Sequence, residues 1–125
     1  MIYLAGYPHV VDTTWTDAVV VVVDATYVPD RVLQSTLADI TGEVGRDDVA
    51  VTVSIAGGLY RVDFDAPPSI DIDSAPAVGG WVLATDGATD ADRVLVRWAA
   101  YTNGGSPPDP FDIYAADGAA RARQP

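Results

Sequence analysis

The chain predicts a mainly β protein, a single-domain antiparallel β-sandwich or barrel with one short helix. Three observations predict it. Apolar and polar residues alternate with a period of two over most of the length. Turn residues punctuate that alternation roughly every 8 to 12 positions, as sandwiches and barrels require. One stretch, "AVVVVVDATYVPDR", breaks the alternation with Val19 to Val23 in an unbroken row. Such a run, bounded by turn residues, suits a strand covered on both faces, and β-branched valine fits a pleat better than a helix.

The elements follow in order. Residues 1–14 carry Tyr3 and Tyr7 ahead of the first clear strand, and Trp15 follows directly. This segment reads either as an arm whose aromatics anchor a partner or as a first strand packed at home. The β-domain spans residues 15–116. After the valine strand, "PDRVLQSTLADI" spaces Leu33, Leu37 and Ile40 at helical intervals, with Asp30 as a cap and Gly42 beyond the end. The spacing predicts the one helix there.

"VAVTVSI" puts Val49, Val51, Val53 and Ile55 on one face, and "GLYRVDFDA" does the same with Tyr60, Val62 and Phe64. "SIDID" repeats the device with Ile70 and Ile72. "RVLVRWAAY" predicts Val94, Val96 and Trp98 on one side, against Leu95, Arg97 and Tyr101. "FDIYA" adds Phe111 and Ile113. Trp81, Trp98, Tyr60 and Phe64 are expected in the core. The pairs Gly57-Gly58, Gly79-Gly80 and Gly104-Gly105 read as hairpin turns, and "TDGATDAD" as a hairpin tip. Residues 117–125 form a small, polar tail that should fray.

Composition bounds the function. A chain of 125 residues is one domain with enough buried surface for a real core. Without cysteine it has no disulfide, thiolate metal site or cysteine nucleophile. Eighteen acids against seven arginines leave a net charge of −11, which disfavours nucleic acid and anionic membranes as partners. No run of about 18 apolar residues is present, and the first residues lack a basic region and a long apolar stretch. A soluble protein made in a cytoplasm is expected.

No catalytic motif stands out. His9 is the only histidine, and neither a Gly-x-Ser-x-Gly elbow nor a set of zinc ligands accompanies it. No phosphate-binding glycine loop occurs, so no cofactor is expected. Asp63 and Asp65, or Asp71 and Asp73, have the two-residue spacing of an acid–base pair, yet alternate aspartates are what a solvated strand face looks like. Asp86, Asp90 and Asp92 are the one Ca²⁺ candidate. They lack the central glycine and terminal glutamate of an EF-hand loop and read more simply as a solvated tip.

The opening stretch also carries a resemblance. "VVVVVDATYVPD" is similar to the strand and Tyr-x-Pro-Asp turn that begin a family of small structural proteins of tailed bacteriophages. "LADITGEVG", "YRVDFDAPPSIDI", "GWVLATDGATDADRVLVRWAAY" and "NGGSPPDPFDIYAADGAAR" follow in that family's order, over roughly residues 15 to 121. The chain departs from the family at "GRDDVAVTVS", after Gly45. The resemblance implies a virion component without catalytic residues, and capsid decoration or minor capsid protein on the outer shell suits the acidic charge. Its partners would be the major capsid protein or other virion subunits, and copies of itself on the particle. The alternatives are a tail or head–tail connector component, or a carbohydrate- or ligand-binding β-sandwich.

Overall fold

The computed structural model describes residues 1–10, 12–56, 59–66, 68–72, 77–101, 111–116 and 119–123. It is mainly β. A 3-10 turn at Leu4–Gly6 runs into the one-turn helix α1 (Tyr7–Val10). The strands are β1 (Asp17–Asp24), β2 (Glu43–Ala56), β3 (Leu59–Phe64), β4 (Ser69–Ile70), β5 (Val78–Thr85), β6 (Leu95–Ala100), β7 (Phe111–Ala116) and β8 (Ala119–Arg123). A curled antiparallel sheet of order β3-β2-β1-β5-β6 forms a half-barrel, and β4-β7-β8 make a second, smaller sheet.

The valine run is the middle strand of the large sheet, and both of its faces are covered. Ala18, Val20 and Val22 pack with Val49, Val51, Ile70, Ile72, Trp81 and Leu83 inside the curl. Val19, Val21 and Val23 pack with Tyr3, Tyr27, Leu37, Val82 and Leu95 on the other side. All five valines are fully buried, each contributing about 1.5 to 3 kcal/mol. The run stops because the Asp24 carboxylate accepts hydrogen bonds from the Thr26 backbone N–H (2.9 Å) and the Thr26 hydroxyl. Beside that turn Gly42 adopts φ 74°, where an added Cβ would meet the Asp24 carboxylate, and its carbonyl accepts the Asp24 N–H at 2.8 Å.

The helix predicted over "PDRVLQSTLADI" is not there. Asp30 does cap one turn, accepting the N–H groups of Val32 (3.0 Å) and Leu33 (2.9 Å). The chain then extends, because Ser35 and Leu37 bond to Leu95 and Arg93 and Thr36 bridges Val94. A β-bridge captures the backbone that a helix needs. Only a 3-10 turn, Leu37–Asp39, follows, with the Asp39 carboxylate accepting the N–H groups of Ser35 and Thr36. The segment is a cover that lays Tyr27 and Leu37 over the outer face of β1. The short helix of the fold lies at Leu4–Val10 instead.

The first residues of the predicted arm, 1–3, are not free. Ile2 bridges Arg97, the Tyr3 N–H donates to Val96 O (3.1 Å), and the Trp98 N–H donates to Met1 O (2.9 Å). The first three residues thus pair with the exposed edge of β6, and closing an edge is a favourable use of a terminus. Tyr3 is 0% exposed, so it is a core residue and unavailable as a partner anchor. Gly6 lets the following turn sit on β6, with Leu95 O and Val96 Cα only 2.6 Å from where a Cβ would be.

Three further expectations are corrected. Gly79 and Gly80 lie inside β5, where the backbones of Asp24 and Ala99 approach too closely for a side chain. A register shift opposite Leu83 and Ala84 splits the predicted face of β6. Val96 joins the inner core, whereas Trp98 packs on the outer face, edge-on to Tyr27 at 5.3 Å. The tail pairs as β8 with β7 over Ala119–Arg123. Trp81 is buried and Phe64 packs edge-on against it at 6.4 Å. Gly57, Gly58, Asp73, Gly104 and Gly105 lie outside the described residues, as does the side chain of Tyr60.

Candidate functional site

Two surface features gather chemistry. The first is an open cleft of about 420 Å³ between the N-terminal segment and the β5–β6 turn, lined by His9, Asp12, Trp15, Asp17, Asp86 and Asp92. Its aromatic wall is fixed by one bond, from Trp15 Nε1 to His9 O at 2.7 Å. Asp12 accepts the Thr14 hydroxyl (2.6 Å) and N–H (2.9 Å), and these bonds hold its carboxyl below the ordinary range. Asp86 accepts the Gly87 N–H (2.8 Å) and Asp92 the Thr89 hydroxyl (3.0 Å). The cleft is a concave set of hydrogen-bond acceptors beside a tryptophan, able to receive cationic or hydroxyl-rich groups.

The Ca²⁺ candidates are not assembled as one set. Asp86 and Asp92 face the cleft, while Asp90 is taken up by two arginines. Arg46 reaches it at 2.9 and 3.1 Å while also holding Glu43, and Arg93 reaches it at 2.7 Å. Among the described residues no group of three acids or histidines is placed to hold a metal ion. Asp65 and Asp71, which follow β3 and β4, are not among the residues that line this cleft. Asp65 is exposed and accepts the Thr52 hydroxyl at 2.9 Å, and Asp71 is exposed between the buried Ile70 and Ile72.

The Arg46–Asp90–Arg93 network ties β2 to the β5–β6 turn and is partly solvated, so each pair contributes at most about 1 kcal/mol. It has a pH signature. Arg46 first, then Arg93, hold the Asp90 carboxyl down to about 2. Asp24 and Asp39 are also lowered, chiefly by the Thr26 hydroxyl and the Ser35 N–H. A depressed carboxyl gives stability that is present above its unfolded value, about 4, and lost as pH falls through the folded one. Thermal melts of Asp90→Asn and the parent protein should therefore differ at neutral pH and converge toward pH 2. A constant gap would assign Asp90 no titrating role.

The second feature is apolar. All six large apolar side chains exposed among the described residues come from two segments: Met1, Leu4, Tyr7, and Val28, Val32, Leu33. Arg31 ties the segments together. Its carbonyl accepts the Leu4 N–H (2.9 Å), its Nε donates to Ile2 O (3.2 Å), and its guanidinium donates to Tyr7 Oη (3.0 Å) while lying 5.3 Å from that ring's centroid. Leu33 is 80% exposed and Val28 75%. The loop bearing them is held by Gln34, whose amide accepts the Asp30 N–H (2.9 Å) and donates to Val28 O (3.1 Å).

Of the three partner-binding residues predicted from sequence, Tyr7 alone lies on this surface. Trp15 belongs to the cleft and Tyr3 to the core. Sequence reasoning missed Val32 and Leu33 because it placed them in a helix, and Val28 because it read that residue only as part of the Tyr-Val-Pro-Asp turn. The signal was the pair "VL" at the second and third positions after the capping Asp30, two adjacent apolar residues of which a single short turn can bury neither. No family model, curated protein or solved structure matches this chain.

Proposed function

We propose that this protein is a structural subunit of a tailed-bacteriophage particle, a capsid decoration or minor capsid protein on the outer shell, rather than an enzyme. The observation that carries the reading is the place of residues 18–30. The stretch that resembles the phage family's opening is the middle strand of the sheet and the turn after it, so the resemblance falls on what organises the fold. Two features support it. Asp24, Asp30 and Asp39 are engaged in capping backbone turns and Asp90 in holding arginines, which is architectural work. The net charge of −11 suits an outward position away from packaged DNA.

In this reading the partners are the major capsid protein and neighbouring virion subunits, and the protein is found in the virion. Quantitative mass spectrometry of purified particles tests it. Hundreds of copies per particle are expected of a decoration protein. A ring's worth, about a dozen or fewer, would make the chain a connector or tail component, since closed cyclic symmetry fixes such numbers.

The cleft favours a second reading, a carbohydrate- or ligand-binding β-domain, because a tryptophan wall beside acceptor groups is a common way to hold a sugar ring. Glycan-array binding that disappears in Trp15→Ala would support it. Sensitivity of that binding to chelator would add a metal to the site.

A further inference from the structure

The β5–β6 turn opens on a reactive arrangement. Asp86 is exposed just past the end of β5, and Gly87 follows it. The turn needs glycine there, because an added Cβ would meet Asp92 Cβ at 2.9 Å and the Asp92 carbonyl carbon at 3.1 Å. The Gly87 N–H takes no part in the β5–β6 pairing and donates to Asp86 Oδ1 at 2.8 Å. The peptide nitrogen that follows Asp86 therefore lies against the carboxyl group of that same residue, whose carbon is one C–O bond further away. Other aspartates that bond to the backbone of their own turns reach further along the chain. Asp12 and Asp24 accept the N–H two residues on, and Asp30 accepts those two and three residues on. Each of the three is followed by a residue that carries a side chain.

We infer that Asp86 is a site of spontaneous covalent modification, where the folded chain converts aspartate to isoaspartate through a cyclic imide. The Gly87 nitrogen attacks Asp86 Cγ and an N–C bond forms. The carboxyl hydroxyl leaves as water, taking the nitrogen's proton with it. The product is a five-membered succinimide that contains the nitrogen and both carbonyl carbons of Asp86. Water then opens the ring. Attack at Cγ restores aspartate, whereas attack at the main-chain carbonyl carbon breaks its bond to nitrogen and leaves the chain running through Cβ and Cγ. One water is lost and one regained, so no oxidant and no reactant besides solvent is required. Glycine favours the closure because it has no Cβ to obstruct the nitrogen and little torsional restriction. The product lengthens the main chain by one methylene where β5 enters the turn, and hangs the free carboxylate directly on Cα. Asp86 and Asp92 line the cleft, and Asp90 in the same turn holds Arg46 and Arg93, so the change falls where the cleft wall and that tie meet. This inference goes beyond the particle reading, because it concerns the chemistry of the chain itself.

Peptide mapping of the full chain, held for weeks in neutral buffer below its melting temperature, tests it. A protein-isoaspartate methyltransferase detects the product, and fragmentation in the mass spectrometer places it. Isoaspartate at Asp86, with a transient form lighter by one water, is expected to accumulate at least about tenfold faster than at Asp12, Asp24 or Asp30, a barrier difference of ~1.4 kcal/mol. Asp86→Glu keeps the charge but would have to close a less favourable six-membered ring, so it should abolish the signal without moving the melting temperature. Val20→Ala, a core truncation that raises the unfolded population, should leave the rate at Asp86 unchanged. The chain's other Asp-Gly pair, 117–118, lies outside the described residues and is mapped as a separate peptide. Isoaspartate that is absent at Asp86, or that forms there no faster than at the other three aspartates, would overturn the inference. So would a signal in that peptide that persists in Asp86→Glu. A rate that rises in Val20→Ala would assign the reaction to the unfolded chain and overturn it as well.

Discussion

Val20→Asp is expected to leave the chain unfolded at room temperature. Val20 is 0% exposed and lies between Asp47 of β2 and Leu83 of β5 in register. A carboxylate there has no cationic partner opposite it and meets the like charge of Asp47, an arrangement that destabilises a sheet. Burying an unpaired charge costs several kcal/mol or forces the group to stay neutral, against a total stability of about 5 to 15 kcal/mol for a domain. Milder changes test the two-faced burial. Val19→Ala and Val20→Ala point to opposite faces and should cost about the same, roughly 2 kcal/mol each. Val28→Asp, by contrast, should stay within about 0.5 kcal/mol. Circular dichroism melts read all four, and a tolerated Val20→Asp would mean that the inner face of β1 is wet.

Tyr3→Ala is expected to lower the melting temperature by roughly 10 °C or more. The ring is fully buried among Val19, Val21, Tyr27 and Leu95, and truncating a buried aromatic costs about 3 to 5 kcal/mol. The phenol adds to this. The Tyr27 hydroxyl donates its one proton to Gln34 Oε1, so the Tyr3 hydroxyl must be the donor to Tyr27. Burial first, then this bond, push the Tyr3 phenol well above the ordinary tyrosine range, and Tyr27 is raised as well, mainly by burial. A raised phenol gives stability that is fully present below its unfolded value, about 10, and is lost as pH climbs toward the folded one. Tyr3→Phe should therefore show a smaller alkaline loss than the parent protein. A Tyr3→Ala variant that melts normally would return residues 1–3 to the status of a free arm.

What the sequence made legible is what depends on neighbours along the chain. Five consecutive β-branched residues have side chains on both sides of a strand, so their number alone required two covers. The alternation in "VAVTVSI" and the turn residues of "TDGATDAD" are equally local. What stayed hidden depends on partners far away. Leu33, Leu37 and Ile40 keep helical spacing, but Thr36 is claimed by Val94, and no local signal reports that bridge. Glycine looks the same in a turn as in a strand crowded by another backbone, so Gly79 and Gly80 read as a turn. Tyr3 and Tyr7 sit in similar contexts, yet pairing with β6 turns one inward and leaves the other at the surface. The cleft joins residues 9–17 to 85–94, a meeting that only the fold creates.

Fold and function meet in the segment 25–41. It covers the outer face of β1 with Tyr27 and Leu37 and presents Val28, Val32 and Leu33 on its far side. Both faces of the central strand are satisfied within the chain. Hydrogen exchange of backbone amides tests this most directly. Amides of Val19 to Val23 should exchange only at the global unfolding limit. Fast exchange in the valine strand would contradict it.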